Sequence, residues 1–223
     1  HIWVVTDPNQ YIDFITNYQN LDFDNCLETR KNYAMTAFKH TSNYDREISR
    51  FFNDQQYIPL KYGANPHQSP SYLEITKNGN NKPFQIISGS LGYINVLDFV
   101  HGWLTVYEIE NATNHICFIS MKHTSPAGLA IGNNISQETL DIFGVSVDDI
   151  PNLTECANAF IKCRNCDPLS SFGDFICCSG TVDTITAKLI KKEVCDGIAA
   201  SYFTDEALEI LKSKKGGKFI IIK

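Results

Sequence analysis

The 223-residue chain lacks several features that would each indicate a class of protein. It contains no apolar run long enough to cross a membrane as a helix, so we expect no membrane association. Positive charge is not in excess, because 19 lysine and arginine residues stand against 25 aspartate and glutamate residues, for a net charge of −6. Binding to a nucleic-acid backbone requires a concentrated positive field, so we expect no nucleic-acid partner.

Sequence signatures of nucleotide and zinc chemistry are also missing. The glycine turn Gly89-Ser-Leu-Gly92 precedes a predicted helix, but it has neither the G-x-G-x-x-G nor the G-x-x-x-x-G-K-S/T spacing of a dinucleotide fold or P-loop. Cys163-Arg-Asn-Cys166, with Cys177-Cys178 downstream, raises the possibility of zinc, yet adjacent cysteines in a strand point to opposite faces. No histidine is followed two residues later by glutamate, as a zinc deaminase requires. We therefore expect no metal.

The eight cysteines do not indicate a disulfide framework. Most of them lie inside apolar or helical runs, and no secretory signal opens the chain. Free buried thiols in a reducing compartment explain this pattern better, so we expect a cytosolic protein.

From residue 71 onward the chain alternates strand-like and helix-like segments. Short runs rich in β-branched and aromatic residues predict strands, and apolar residues at helical spacing predict helices between them. The predicted strands cover 71–76, 84–87, 116–121, 175–179, 198–200 and 219–222, and the predicted helices cover 93–110, 137–143, 153–162, 184–194 and 204–214. This alternation implies an α/β fold with right-handed crossovers and a largely parallel sheet.

The first residues follow a different pattern. It predicts a strand over 2–6, a short helix over 9–18 and a long amphipathic helix over 27–52. The chain begins inside a strand-like pattern without a methionine and stops on a strand, so we expect it to be a fragment of a longer protein.

Two stretches are candidates for a functional site. The apolar run that begins at Ile116 stops at Lys122 and His123, before the turn cluster Ser125-Pro-Ala-Gly128. In open α/β sheets ligands bind outside the carboxyl ends of strands, so this strand end would aim two ionisable side chains at a small molecule. The second candidate is the loop 60–70, which is too broken for a helix and dense in hydrogen-bonding side chains. The alternatives are a solvated Lys-His pair and a polar crossover.

Four segments, in this order, resemble 5-aminoimidazole-4-carboxamide ribonucleotide (AICAR) transformylase, the larger domain of a bifunctional purine biosynthesis family. The segments are Lys61-Tyr-Gly-Ala-Asn-Pro-His-Gln68, Lys122-His-Thr-Ser-Pro-Ala-Gly128, Ser170-Ser-Phe-Gly-Asp174 and Val194-Cys-Asp-Gly197. The Ser-Pro-Ala-Gly and Ser-Ser-Phe-Gly-Asp variants are similar to the eukaryotic branch. Residues 1–55 resemble the end of the inosine monophosphate (IMP) cyclohydrolase domain and its linker helices, which leaves 56–223 as the first half of the transformylase domain.

The resemblance implies a fold, an activity and an assembly. The fold would be a three-layer αβα domain like that of cytidine deaminase, without zinc and with a mixed, largely parallel sheet, preceded by a helical linker from the cyclohydrolase domain. The activity would be formyl transfer from 10-formyltetrahydrofolate, as cosubstrate, to the 5-amino group of AICAR. The protein would be a homodimer with transformylase sites at the subunit interface.

The resemblance also implies roles for individual residues. His123 would be the general base and Lys122 would stabilise the oxyanion, tasks that suit an imidazole titrating near neutrality and a fixed ammonium. The substrate contacts carry over as Lys61, Tyr62, His123, Phe172, Gly173 and Asp196. The family commonly has arginine where this chain has Lys61, and a lysine holds phosphate as a point charge rather than through two parallel hydrogen bonds.

Two other interpretations stay open at the level of sequence. A non-catalytic domain for dimerisation or nucleotide binding could keep the same fold, although it would have no need of the Lys122-His123 pair. A protein acting mainly as a cyclohydrolase is the second, but only about the first fifty residues resemble that domain. We also expect the chain alone to have no cyclohydrolase activity and little or no transformylase activity.

Overall fold

The computed structural model describes residues 2–19, 26–52, 57–75, 83–145 and 152–223, which form two compact units. One unit comprises residues 1–58 and 74–76, and the other comprises residues 59–73 and 77–223. Within the described ranges no helix is both long enough and apolar enough to cross a membrane. The predicted domain boundary between residues 55 and 56 lies outside the described residues, so the assignment of the two pieces to two enzymes stays a prediction.

The first unit consists mainly of two helices, α1 (Gln10–Gln19) and α2 (Cys26–Phe52). The buried Tyr33 of α2 donates a hydrogen bond to Asp13 of α1 over 2.8 Å, and Trp3 packs edge-on against the Tyr33 ring. The expected helices are therefore confirmed. The expected strand over 2–6 is wrong, because that segment leads into α1 with the Gln10 side chain accepting the Thr6 N–H at 2.9 Å.

The second unit contains a six-stranded sheet. Two short strands outside this sheet, β1 (Tyr57–Leu60) and β2 (Ser71–Glu74), pair with each other. The six strands are β3 (Ile86–Ser88), β4 (Cys117–Lys122), β5 (Ser125–Ile131), β6 (Asp174–Val182), β7 (Cys195–Phe203) and β8 (Ile220–Ile222), in the order β3-β8-β7-β6-β4-β5.

The sheet is mixed, as expected, but it is not largely parallel, so only that part of the prediction is wrong. Among the described strands only the β6–β7 and β7–β8 pairings are parallel. The pairings β3–β8, β4–β5 and β4–β6 are antiparallel. The reason is a tight hairpin between β4 and β5, which reverses the chain where a helical crossover was expected.

Helices cover both faces of the sheet, which gives the predicted three-layer arrangement. Helix α3 (Tyr93–Thr113) packs on one face. Helices α5 (Glu155–Asn165), α6 (Thr184–Lys192) and α7 (Asp205–Lys212) pack on the other face, and the short α4 (Gln137–Ile142) follows β5. Strand alternation divides the two cores, since Cys177 faces α3 while its neighbour Cys178 faces α5.

Local sequence signals place the helix starts correctly. Asp183 and Thr204, which the sequence indicates as entry residues, accept backbone N–H groups of Thr186 at 2.8 Å and Ala207 at 3.3 Å.

Gly128 explains how closely β5 approaches α5, because a Cβ there would lie 2.1 Å from the Cys163 carbonyl oxygen. The seven cysteines from Cys117 onward are all free thiols, and six of them are buried.

Candidate functional site

The predicted reactive stretch forms the hairpin between β4 and β5. β4 continues through Lys122, one residue beyond the predicted end, and β5 begins at Ser125. The turn therefore consists of His123 and Thr124, whose φ angles are 51° and 66°. Positive φ at both central residues is typical of the two-residue hairpins that fit the twist of the flanking strands. The predicted turn cluster beginning at Ser125 is instead part of β5, paired with β4.

This turn separates two side chains that are neighbours in sequence. The Lys122 side chain is half-buried, and its Nζ donates a hydrogen bond to the carbonyl of Phe172. The same Nζ lies 3.7 Å from the position of a Cβ on Gly173, whose φ is +74°. His123 is exposed in the turn. The structure thus brings Lys122 together with two of the predicted substrate contacts.

Helix α3 supports the turn through a buried carboxylate that sequence analysis missed. Asp98 is only 4% exposed, and its Oδ1 accepts the Thr124 N–H at 2.6 Å. The backbone of His123 also interacts favourably with this carboxylate. Burial raises the pKa of Asp98, and these two interactions partly oppose the rise. The available signal was an acidic residue between Val96 and Phe99, on the apolar face of a predicted helix.

A second buried charge, Arg164 near the end of α5, connects two of the motif segments. Its Nη1 lies 2.9 Å from Asp174 Oδ2 and also donates to the carbonyl of Ser171. Its Nη2 donates to the Val194 carbonyl at 3.2 Å, and Nε donates to Glu193 at 3.3 Å. In the sequence Arg164 stands out only as part of the C-x-x-C pattern Cys163–Cys166, which does not predict this role.

Asp174 completes this buried network. It is 1% exposed and accepts a hydrogen bond from Ser120 Oγ at 2.5 Å in addition to its ion pair with Arg164. Burial is the largest influence and raises the pKa of Asp174 to about 6, against the opposing effects of Ser120 and Arg164. Its Oδ1 has no hydrogen-bond partner within the described residues.

Asp196 lies at the same edge of the sheet as Lys122. Phe175 pairs with Met121 on one side and with Gly197 on the other, which brings the end of β4 beside the starts of β6 and β7. The half-buried Asp196 carboxylate is 2.7 Å from Lys215 Nζ. The site edge is therefore the carboxyl end of β4 but the amino end of β6 and β7.

Lys61 and Tyr62 lie in the loop after β1, beside the start of α3. The Lys61 N–H donates to the Leu91 carbonyl at 2.9 Å, and both side chains are exposed. Within the described ranges no hydrogen bond or ion pair joins either residue to Lys122 or His123. Their role as substrate contacts stays a prediction.

Two further observations concern where ligands could bind. A cavity of about 520 Å³ between α3 and the β7–β8 region is lined mainly by apolar residues and by none of the predicted site residues. In the described ranges no group of three or more histidine, cysteine, aspartate and glutamate side chains could hold a metal ion.

Comparison with known proteins identifies the family. The family model described as AICARFT/IMPCHase bienzyme matches residues 1–223. A relative named bifunctional purine biosynthesis protein PurH from Prochlorococcus marinus subsp. pastoris is 30% identical over an alignment of 231 residues, which covers 95% of this chain and 40% of that protein. The protein of the same name from Clostridium botulinum strain Hall is 30% identical over 230 residues, covering 97% of this chain and 41% of that protein. The chain thus spans about two fifths of the length of these curated relatives. Because the match extends over every residue, the chain belongs to the AICARFT/IMPCHase bienzyme family.

Proposed function

We propose that this chain supplies the general base and the oxyanion-stabilising cation for formyl transfer from 10-formyltetrahydrofolate to the 5-amino group of AICAR. The single observation that carries the proposal is the sheet edge where Lys122 contacts the Phe172–Gly173 segment, with His123 in the adjoining turn. The natural protein would also have IMP cyclohydrolase activity, as a bifunctional purine biosynthesis enzyme.

The chemistry explains why an imidazole is needed. The amine of AICAR is a weak nucleophile because its lone pair is conjugated through the ring to the carboxamide, so attack must be coupled to loss of a proton. As the bond from the amine nitrogen to the formyl carbon forms, His123 takes that proton. The bond from the formyl carbon to N10 of the folate then breaks, and N10 takes up a proton. General-base help of this kind contributes about 10²- to 10⁴-fold to the rate.

Lys122 would act on the tetrahedral intermediate. Attack converts the formyl carbonyl into an oxyanion, and a positioned ammonium stabilises that developing charge more than it stabilises the substrate. In the structure the ammonium donates to the Phe172 carbonyl, so its position is already defined by a protein contact. We expect the oxyanion to share or replace that hydrogen bond.

The remaining roles are proposals of the same kind. The ribonucleotide would be contacted by Lys61, Tyr62, Phe172, Gly173 and Asp196. Lys61 would bind its phosphate as a point charge. Residues 1–55 would belong to the cyclohydrolase side and residues 56–223 to the transformylase side. We further propose that the protein is a cytosolic homodimer, that its domain has the fold of cytidine deaminase, and that it uses 10-formyltetrahydrofolate without zinc.

The test compares two histidines in the natural protein at full length. We expect His123→Ala to lower kcat for formyl transfer by at least about 100-fold with little change in the melting temperature. His115→Ala is the matched control, because His115 lies just before β4 and pairs with Glu155 at 3.1 Å, away from the Lys122 edge. Equal activity of His123→Ala and wild type, with AICAR still bound in a calorimetric titration, would favour a non-catalytic nucleotide-binding domain instead.

A further inference from the structure

We propose that Asp98 is a positioning residue that sets the orientation of His123 by holding the β4–β5 turn from helix α3. The inference rests on the proposed function, since it assigns a catalytic role to His123. Asp98 touches neither substrate in this scheme and acts through the backbone of the two turn residues.

The turn is strained, which makes a support necessary. Side chains with a Cβ are disfavoured at positive φ, and both His123 and the β-branched Thr124 adopt it, at 51° and 66°. Glycine, asparagine or aspartate would be the residues expected in such a turn. Strain of this kind persists only where the surroundings determine the conformation, and it is concentrated at functional sites.

Asp98 is the group that determines the conformation. Its carboxylate accepts the Thr124 N–H at 2.6 Å, and the neighbouring His123 backbone helps to lower its pKa, so one side chain interacts with both strained residues. The carboxylate is itself fixed, because it is 4% exposed and lies on α3 between Val96 and Phe99, which belong to the core under the sheet. Helix α3 therefore fixes, through Asp98, the backbone position from which the His123 side chain extends.

The turn also explains how two residues adjacent in the sequence, Lys122 and His123, can face the same substrate. Successive residues of a strand point to opposite faces, so Lys122 and His123 could not serve one substrate if β4 continued. The turn ends the alternation at Lys122 and allows the imidazole to return towards the edge where Phe172, Gly173 and Asp196 lie. Losing the support would change the orientation of His123 without removing any catalytic side chain.

The experiment tests whether a second substitution in the turn restores the kcat that Asp98→Ala loses. In the natural protein at full length, we expect Asp98→Ala to lower kcat for formyl transfer by about 10- to 100-fold, with a smaller change in KM for AICAR. Replacing Thr124 by glycine in that background removes the conformational penalty at φ 66°, and we expect it to recover kcat by about fivefold or more. Asp98→Asn keeps one carbonyl acceptor for the turn and should lose less activity than Asp98→Ala.

Asp183→Ala is the matched control. Asp183 also accepts a backbone N–H, from Thr186 at 2.8 Å, but it does so at the start of α6. We expect the Asp183→Ala variant to have a lower free energy of unfolding without a specific loss of kcat. A loss of kcat in Asp98→Ala no greater than in Asp183→Ala, or a Thr124→Gly change that restores the melting temperature but not kcat, would overturn the inference.

A separate readout distinguishes failure of the inference from failure of the proposed function. Amide hydrogen exchange of His123 and Thr124 in this chain should be slow in wild type and Asp183→Ala and fast in Asp98→Ala. If Asp98→Ala does not fold, Asp98→Asn is measured in its place and should show intermediate exchange. Slow exchange in every Asp98 variant would overturn the inference, whereas absence of formyl transfer in the wild-type protein would overturn the proposed function alone.

Discussion

At the scale of single residues, the buried carboxylate of Asp174 gives a stability prediction with a definite sign. Its pKa is raised from an ordinary value of 3.8 to about 6, so between these values the folded chain binds a proton that the unfolded chain does not. Stability from this group is therefore complete below about pH 4 and is lost as pH rises through about 6.

We expect the free energy of unfolding of wild type to fall relative to Asp174→Asn, by up to about 3 kcal/mol, between pH 4 and pH 6.5. Urea unfolding at several pH values measures this difference. Asp167 is the control, because hydrogen bonds from Ser170 lower its pKa and give its contribution the opposite sign. A wild-type curve that rises relative to Asp174→Asn over this range would contradict the assignment.

At the scale of secondary-structure elements, Arg164 joins the end of α5 to the starts of β6 and β7. Arg164→Met would leave the Asp174 carboxylate buried without its cation, which costs about 3–5 kcal/mol in comparable cases. We expect the double variant Arg164→Met/Asp174→Leu to regain much of this stability, since neither member of the pair then remains as a buried, unpaired charge.

Measuring AICAR binding distinguishes two roles of the Arg164 guanidinium, which are its ion pair with Asp174 and its link between two motif segments. Arg164 also donates to the carbonyls of Ser171 and Val194, and the double variant restores neither contact. We therefore expect calorimetric titration of the full-length protein to show weakened AICAR binding in both variants. Recovery of binding together with stability would show that the link between the two segments is dispensable, and that the single variant loses binding only because the Asp174 carboxylate is left buried without its cation.

At the scale of the whole molecule, the extent of the chain limits what it can do alone. It spans about two fifths of its bifunctional relatives. We expect the isolated chain to show no IMP cyclohydrolase activity and at most a trace of formyl transfer, while the natural protein at full length shows both. Spectroscopic assays of each reaction on the two forms test this, and robust turnover by the isolated chain would refute it.

The sequence alone predicted the features that depend on neighbours along the chain. The long helix α2 follows from apolar spacing, and the starts of α6 and α7 follow from Asp183 and Thr204, since a helix and its cap are formed by residues within one or two turns. The four motif segments likewise indicated the family that the match over residues 1–223 then showed.

Only the tertiary structure decided the direction of the strands, the position of the turn at His123 and Thr124, and the support of that turn by Asp98. Arg164 belongs with these, because its partners lie up to 30 positions away in the sequence. Strand pairing and buried charge networks join residues that are distant in the chain. Their free energy depends on what surrounds each group after folding, and no local pattern of residues records it.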